Sequence, residues 1–172
     1  MERPVTRDDL AMIQSSGLDP MRRRALVAGA VTLLGLTATG CGTPKGGDLN
    51  SSLQAAADLN PSVNQRPSPL LIRVYELKSA AAFNQADFMS LYQSDQATLG
   101  ADLLARDEFT LQPGESRPYS RTMAPETRAI GVFAAYRNLE KARWRVVVPV
   151  QPGKSVKLLI RADALAISAQ AS

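Results

Sequence analysis

Four stretches of this 172-residue chain alternate in character with a period of two, and that pattern constrains the fold more than any other feature. In "LLIRVYEL", Leu70, Ile72 and Val74 fall on one face, Arg73 and Tyr75 on the other. In "AIGVFAAYR", Ile130, Val132, Ala134 and Tyr136 alternate with smaller residues and Phe133. In "RWRVVVPV", Trp144, Val146 and Val148 alternate with Arg143, Arg145 and Val147; in "SVKLLIR", Val156, Leu158 and Ile160 oppose Lys157 and Arg161. Successive side chains of a strand point to opposite faces, so each stretch reads as a half-buried strand. Pro113-Gly114, Arg137-Asn138 and Pro152-Gly153 supply turns between them. Residues 107–112 and 116–122 form weaker strands around the first turn, and residues 52–58 and 164–168 add edges. Seven or eight short strands at this spacing predict an all-β fold, an antiparallel sandwich.

One segment has a different period. Within residues 79–105, Phe88, Leu91, Tyr92, Leu99 and Leu103 recur at helical spacings. Ser79 and Asp87 are candidate N-caps and Gly100 a break, which predicts two or three short inserted helices. Phe83, Phe88 and Tyr92 are expected to pack these helices onto the sandwich rather than to hold a ligand.

Composition removes most catalytic chemistry. The chain has no histidine, which takes away the commonest general base and metal ligand. Its one cysteine, Cys41, excludes an internal disulfide and any thiolate metal cluster. After Cys41 the only adjacent acid pair is Asp107-Glu108, and adjacent strand residues point to opposite faces, so the two cannot share a site. Ser-x-x-Lys, Gly-x-Ser-x-Gly and phosphate-loop patterns are absent. No catalytic residue, metal or cofactor is assigned, and an enzyme is not expected. Five of the 20 Lys/Arg precede Ala25 and four of the 16 Asp/Glu precede Met21, which leaves 15 and 12 from Cys41 onward. A balance of +3 without clustering is an ordinary surface rather than a nucleic-acid footprint. Arg143 and Arg145 beside Trp144 are read as a solvated basic strand face with Trp144 in the core.

The N-terminal part reads as an address. Arg22, Arg23 and Arg24 precede a twelve-residue apolar run, Ala25 to Leu36, and then small residues. This is the layout of a secretory signal peptide. It ends in Ala38-Thr39-Gly40-Cys41, similar to a bacterial lipobox, in which the cysteine thiol is acylated and the chain is cut before it. Ala38 stands where Leu or Val is more usual. A transmembrane anchor is the weaker reading, because a span wants about 20 mainly apolar residues and the second half of this run is rich in Gly and Thr. An ordinary cleaved signal with an incidental thiol is the other alternative. Residues 1–20 fit badly before such a signal, so either Met21 is the true start or the leader is long. The expected organisation is a signal over 1–40, a lipidated tether over 41–50 and a sandwich over 51–170 with its helical insertion at about 79–105.

Between the first two strands lies "DLNPSVNQRPSP", residues 58–69, stiffened by Pro61, Pro67 and Pro69. A rigid polar loop at one end of a sandwich suits recognition, and a plain connection is the competing reading. The run from this loop through "RVYEL", Phe83, Asp87-Phe88, Leu91, Pro113-Gly114 and Trp144-Arg145 resembles the type VI secretion lipoprotein family (TssJ, VasD, SciN) over roughly residues 52–168. The resemblance implies a transthyretin-like β-sandwich on an outer-membrane lipoprotein facing the periplasm. It implies docking on the periplasmic domain of TssM, within a complex that includes TssL. Carried onto this sequence, the partner-binding residues are Asn60, Pro61, Ser62, Val63, Asn64, Gln65, Arg66, Pro67, Ser68 and Pro69, with Arg66 the expected anchor. Lipid on Cys41 would hold the protein in the membrane. The fold alone also suggests a carrier of a small apolar ligand, which is an argument by analogy. An envelope hydrolase would need a pocket of converging polar groups, for which the sequence offers no candidates.

Overall fold

The structure, a computed structural model, describes residues 45–172. Cys41, the leader and the first part of the expected tether lie outside the described residues. Eight strands form two four-stranded sheets. In chain order they are β1 (Asp48–Ala55), β2 (Leu70–Leu77), β3 (Leu103–Leu111), β4 (Ser116–Thr122), β5 (Ala129–Ala134), β6 (Arg145–Pro149), β7 (Val156–Ala162) and β8 (Ile167–Ala171). Sheet order is β4-β1-β7-β8 in one layer and β3-β2-β5-β6 in the other. Two helices, α1 (Ala81–Gln85) and α2 (Phe88–Leu99), and a 3-10 turn at Gly100–Asp102 separate β2 from β3.

The period-two pattern places the first core. Leu49 and Leu53 of β1, with Leu158 and Ile160 of β7, meet Ile72 and Val74 of β2 and Ile130 and Val132 of β5 between the sheets. A second core lies on the other side of β2 and β5. There Tyr75, Leu77 and Phe133 are covered by Phe83 of α1 and Leu91 and Leu99 of α2. Fully burying one such side chain stabilises by roughly 1.5–3 kcal/mol, which makes the helices part of the fold and not an appendage. All six residues of β5 are buried as a result. The reading of β2 as a half-buried strand is therefore corrected: Tyr75 is fully buried, because helices and not water cover that face.

Three further differences from the sequence reading have physical causes. The β1–β7 pair is parallel, since both strands start from the same end of the sandwich, so the sandwich is not wholly antiparallel. The strand ladder begins at Asp48, inside the stretch read as tether, because Gly46 and Gly47 already lie flat against neighbouring turns. The strand expected at 164–168 starts only at Ile167, residues 163–166 being occupied by a turn closed by Asp163 N–H to Ala166 O at 2.8 Å. The Pro113-Gly114 and Pro152-Gly153 turns carry the chain from one sheet to the other.

Charged residues fasten these layers. Helix α2 is kinked at Ser94, whose backbone leaves the helical region, and the Gln96 N–H turns to Asp95 Oδ1 at 2.8 Å. Arg73 Nη1 takes over the freed carbonyls, donating to Leu91 O at 3.0 Å and Tyr92 O at 2.9 Å. Its Nε reaches Glu108 Oε2 at 2.7 Å. Asp95, 6% exposed, accepts from the Tyr75 hydroxyl at 3.0 Å and from Arg106 at 2.8 Å. Burial alone would raise the Asp95 carboxyl. The hydrogen bonds from Arg106 and Tyr75 and the charges of Arg106 and Arg73 outweigh it and hold the group below its ordinary value. On the facing edge, Arg121 of β4 bridges sheets to Glu76 of β2 and Asp107 of β3, at 2.6 Å each. The approach to Glu76 is an ion pair without hydrogen-bond geometry; the other Glu76 oxygen accepts from Ala124 N–H and the Thr127 hydroxyl.

Replacing Asp95 by Ala leaves the buried Tyr75 hydroxyl without its acceptor, an expected cost of about 2–3 kcal/mol at neutral pH. Because the folded carboxyl titrates below the unfolded one, its contribution is complete above about pH 4 and drains as pH falls through the lower folded value. Urea unfolding of wild type and Asp95→Ala should therefore differ most near neutrality and converge in acid; a constant gap would reject the ionic account.

Candidate docking loop at one end of the sandwich

The ends of β1, β3, β5 and β7 reach the same pole, so the connections that follow them share it. The chain leaves β1 through residues 56–69, where Leu59 is fully buried and anchors the loop to the inter-sheet core. The next residue, Asn60, is 3% exposed and sits at φ 45°, in a left-handed conformation that Asn tolerates better than most residues. Asn60 ties three connections together. Its N–H donates to Ala164 O at 3.1 Å, in the β7–β8 turn. Its Nδ2 donates to Pro69 O at 2.9 Å, where the loop returns. Its Oδ1 accepts from Arg137 N–H at 2.9 Å, in the β5–β6 loop.

Beyond this knot the loop closes on itself. Ser62 N–H donates to Arg66 O at 2.8 Å, Gln65 N–H to Ser62 O at 2.9 Å, and Arg66 N–H to Ser62 Oγ at 3.2 Å. Gln65 holds φ 59° to make the turn. Ser68 N–H returns to Leu59 O at 2.9 Å. Pinned backbone and proline restrict the tip before any partner arrives, which lowers the ordering cost of binding. At the tip Val63 is 96% exposed, and Asn64, Gln65, Arg66 and Pro67 are exposed beside it, as is Pro69 at the base. Pro61 and Ser62 are half-buried.

The ten residues assigned to this loop thus divide. Asn60 and Ser68 are buried and used in the loop's own architecture, so their place is support and not contact. Val63 to Pro67 present the surface. Beside them lies an open groove of about 800 Å³, walled by Pro61, Val63 and Gln65 on one side and Arg137 and Leu139 on the other, with Leu165 also lining it. The sequence reading took Arg137-Asn138 only as a turn signal and missed this second wall; the exposed Leu139 next to it was the available hint. The β5–β6 loop is fixed in turn by the Tyr136 hydroxyl donating to Asp163 O at 3.1 Å and by Arg143 N–H donating to Leu165 O at 2.9 Å.

Elsewhere, residues considered for chemistry are engaged in structure. Asp107 and Glu108 point to opposite sides of β3, one to Arg121 and Tyr119, the other to Arg73. Trp144 packs edge-on against Phe88 and Phe133, with ring centroids at 5.4 and 5.7 Å. Arg145 donates to the carbonyls of Phe83 and Ala86 at 3.0 and 2.6 Å, closing the end of α1, so the expected solvated basic face is corrected here: Arg145 is half-buried and bound to backbone. Among the described residues no group of His, Cys, Asp and Glu has metal-site geometry.

The family described as "Type VI secretion lipoprotein, VasD, EvfM, TssJ, VC_A0113" matches residues 48–165. The chain is 42% identical to the T6SS lipoprotein TssJ1 from Pseudomonas aeruginosa, with TM-score 0.72, covering 74% of this chain and 97% of that one. It is 29% identical to Serratia marcescens Lip, described as a membrane-bound component of the type VI secretion system, with TM-score 0.67 and coverage of 74% and 98%. A chain in a structure described as a type VI membrane complex is 26% identical, with TM-score 0.63 and coverage of 72% and 98%. No curated protein matches. The sandwich, its inserted helices and its sequence agree on one assignment: the chain belongs to the type VI secretion lipoprotein family.

Proposed function

We propose that this protein is a structural adaptor, without a catalytic step, that anchors a type VI trans-envelope complex at the outer membrane. Lipid on Cys41 holds it there, facing the periplasm. The loop from Asn60 to Pro69 docks on the periplasmic domain of TssM, in a complex that includes TssL. The observation that carries this reading is the prearranged loop, exposed at its tip and locked at its base by Asn60. Its likeness to a chain of a type VI membrane complex agrees with it. Chain entry at Asp48 and the loop after Ala55 lie at opposite ends of β1, so an anchor on one side leaves the docking surface free on the other. The inter-sheet space is filled by Leu, Ile and Val side chains, and an apolar ligand would have the open loop groove instead of an interior cavity.

Cys41→Ser is expected to give a folded, soluble periplasmic protein and to stop secretion; recovery in membranes after a high-salt wash would reject the lipid anchor. Deleting residues 61–67 should weaken binding to purified TssM periplasmic domain by tenfold or more in calorimetry, at least about 1.4 kcal/mol. Circular dichroism should meanwhile show an intact sandwich, and unchanged affinity would sink the loop as the contact. Asn60→Ala should also weaken binding although Asn60 is buried and supports the loop from within. It should lower stability by about 1–3 kcal/mol and speed hydrogen exchange at the Arg137 amide, which simple loss of a contact would not do.

A further inference from the structure

We infer that the pole opposite the docking loop is a membrane-contacting surface, where Lys45, Arg128 and Lys154 lie against anionic phospholipid headgroups. The inference rests on lipidation of Cys41. The chain enters the domain in close contact with that pole. A Cβ on Gly46 would stand 1.6 Å from Met123 O, and one on Gly47 would stand 2.1 Å from the Lys154 carbonyl carbon. Only glycine permits this approach at both positions. Met123 N–H donates to Gly47 O and Val150 N–H to Arg128 O, both at 2.9 Å, so the entry point, the β4–β5 connection and the β6–β7 connection form one rigid end.

Five residue steps separate Cys41 from Gly46, and an extended chain covers at most about 3.6 Å per residue. The lipid therefore keeps this pole within about 18 Å of the headgroups, while the eight residues of β1 carry the docking loop about 26 Å further along the strand axis. Within that leash, charge selects which surface faces the bilayer. Lys45, Arg128 and Lys154 are exposed and enter none of the ion pairs among the described residues; the same holds for Lys78 at the end of β2. The acids nearby are Asp48, Glu126 and the half-buried Asp102, and Asp48 Oδ1 is occupied by the Thr122 hydroxyl. The helical face offers no such free cation: Arg73 and Arg106 there are paired with Asp95 and Glu108, the half-buried Arg145 is spent on the carbonyls of Phe83 and Ala86, and Asp87 adds an exposed carboxylate. Attraction to anionic lipid acts within about 8 Å at physiological salt, so it holds an upright domain once the leash has brought this pole close.

The full lipidated protein tests this in vesicles. Cys41 is the only cysteine and is consumed by lipid, so a cysteine introduced at position 151, 92 or 63 takes a fluorophore alone. In phosphatidylethanolamine–phosphatidylglycerol vesicles carrying a headgroup energy acceptor, a probe at Gln151→Cys should be quenched several-fold more than one at Val63→Cys or Tyr92→Cys. Purely zwitterionic vesicles, or Lys45→Glu with Arg128→Glu, should narrow that difference. Equal quenching at the three positions, strongest quenching at 92, or no dependence on lipid charge overturns the inference while leaving the anchor in place. A protein that fails to float with vesicles overturns the anchor and the inference together.

Discussion

Both faces of β2 and β5, at the centre of the β3-β2-β5-β6 sheet, are covered, and most of the architecture follows from that demand. One face is covered by the second sheet and the other by α1 and α2. A chain with one four-stranded sheet and a helical insertion could leave Tyr75, Phe133 and Leu77 exposed, but those side chains are too large to stay in water at little cost. Covering them holds the insertion down. It also brings three charged side chains, Arg73, Asp95 and Arg145, into positions where they must be neutralised or hydrogen-bonded.

The polar bonds at these layer boundaries are placed where regular bonding fails. Arg73 serves the carbonyls opened by the kink at Ser94, and Arg145 serves those left at the end of α1. Arg121 joins the two sheets at the edge where β3 and β4 face each other without pairing. Basic residues that the sequence presents as a positive surface thus fill backbone and carboxylate vacancies within the fold. Exposed cations that enter none of the ion pairs among the described residues include Lys45, Arg128 and Lys154 at the entry pole and Arg66, Arg137 and Lys141 at the loop pole.

Function in this reading depends on the separation of those poles. The glycine entry at Gly46 and Gly47 packs against the backbone of one pole, and the Asn60 knot stiffens the other. Force between an envelope complex and its membrane anchor would then pass along the strands, through the β1–β4 and β1–β7 ladders, with no long flexible joint among the described residues.

The sequence by itself determined the four strongly alternating strands, because alternation with period two has one economical solution, and it determined the helical insertion through the three-and-four spacing of Phe88, Leu91 and Tyr92. It also singled out the proline-rich loop, since proline restricts the chain locally whatever surrounds it. Strand partners were not legible: nothing in residues 48–55 and 156–162 says that these stretches run parallel, because pairing is settled by the path of the intervening chain. Nor could the sequence divide the loop into support and surface. Asn60 and Asn64 look alike in a linear reading, yet one is buried in three hydrogen bonds and the other is exposed. That division, the groove wall from Arg137 to Leu139 and the burial of Tyr75 belong to tertiary structure, because each depends on groups far apart in the chain meeting across layers.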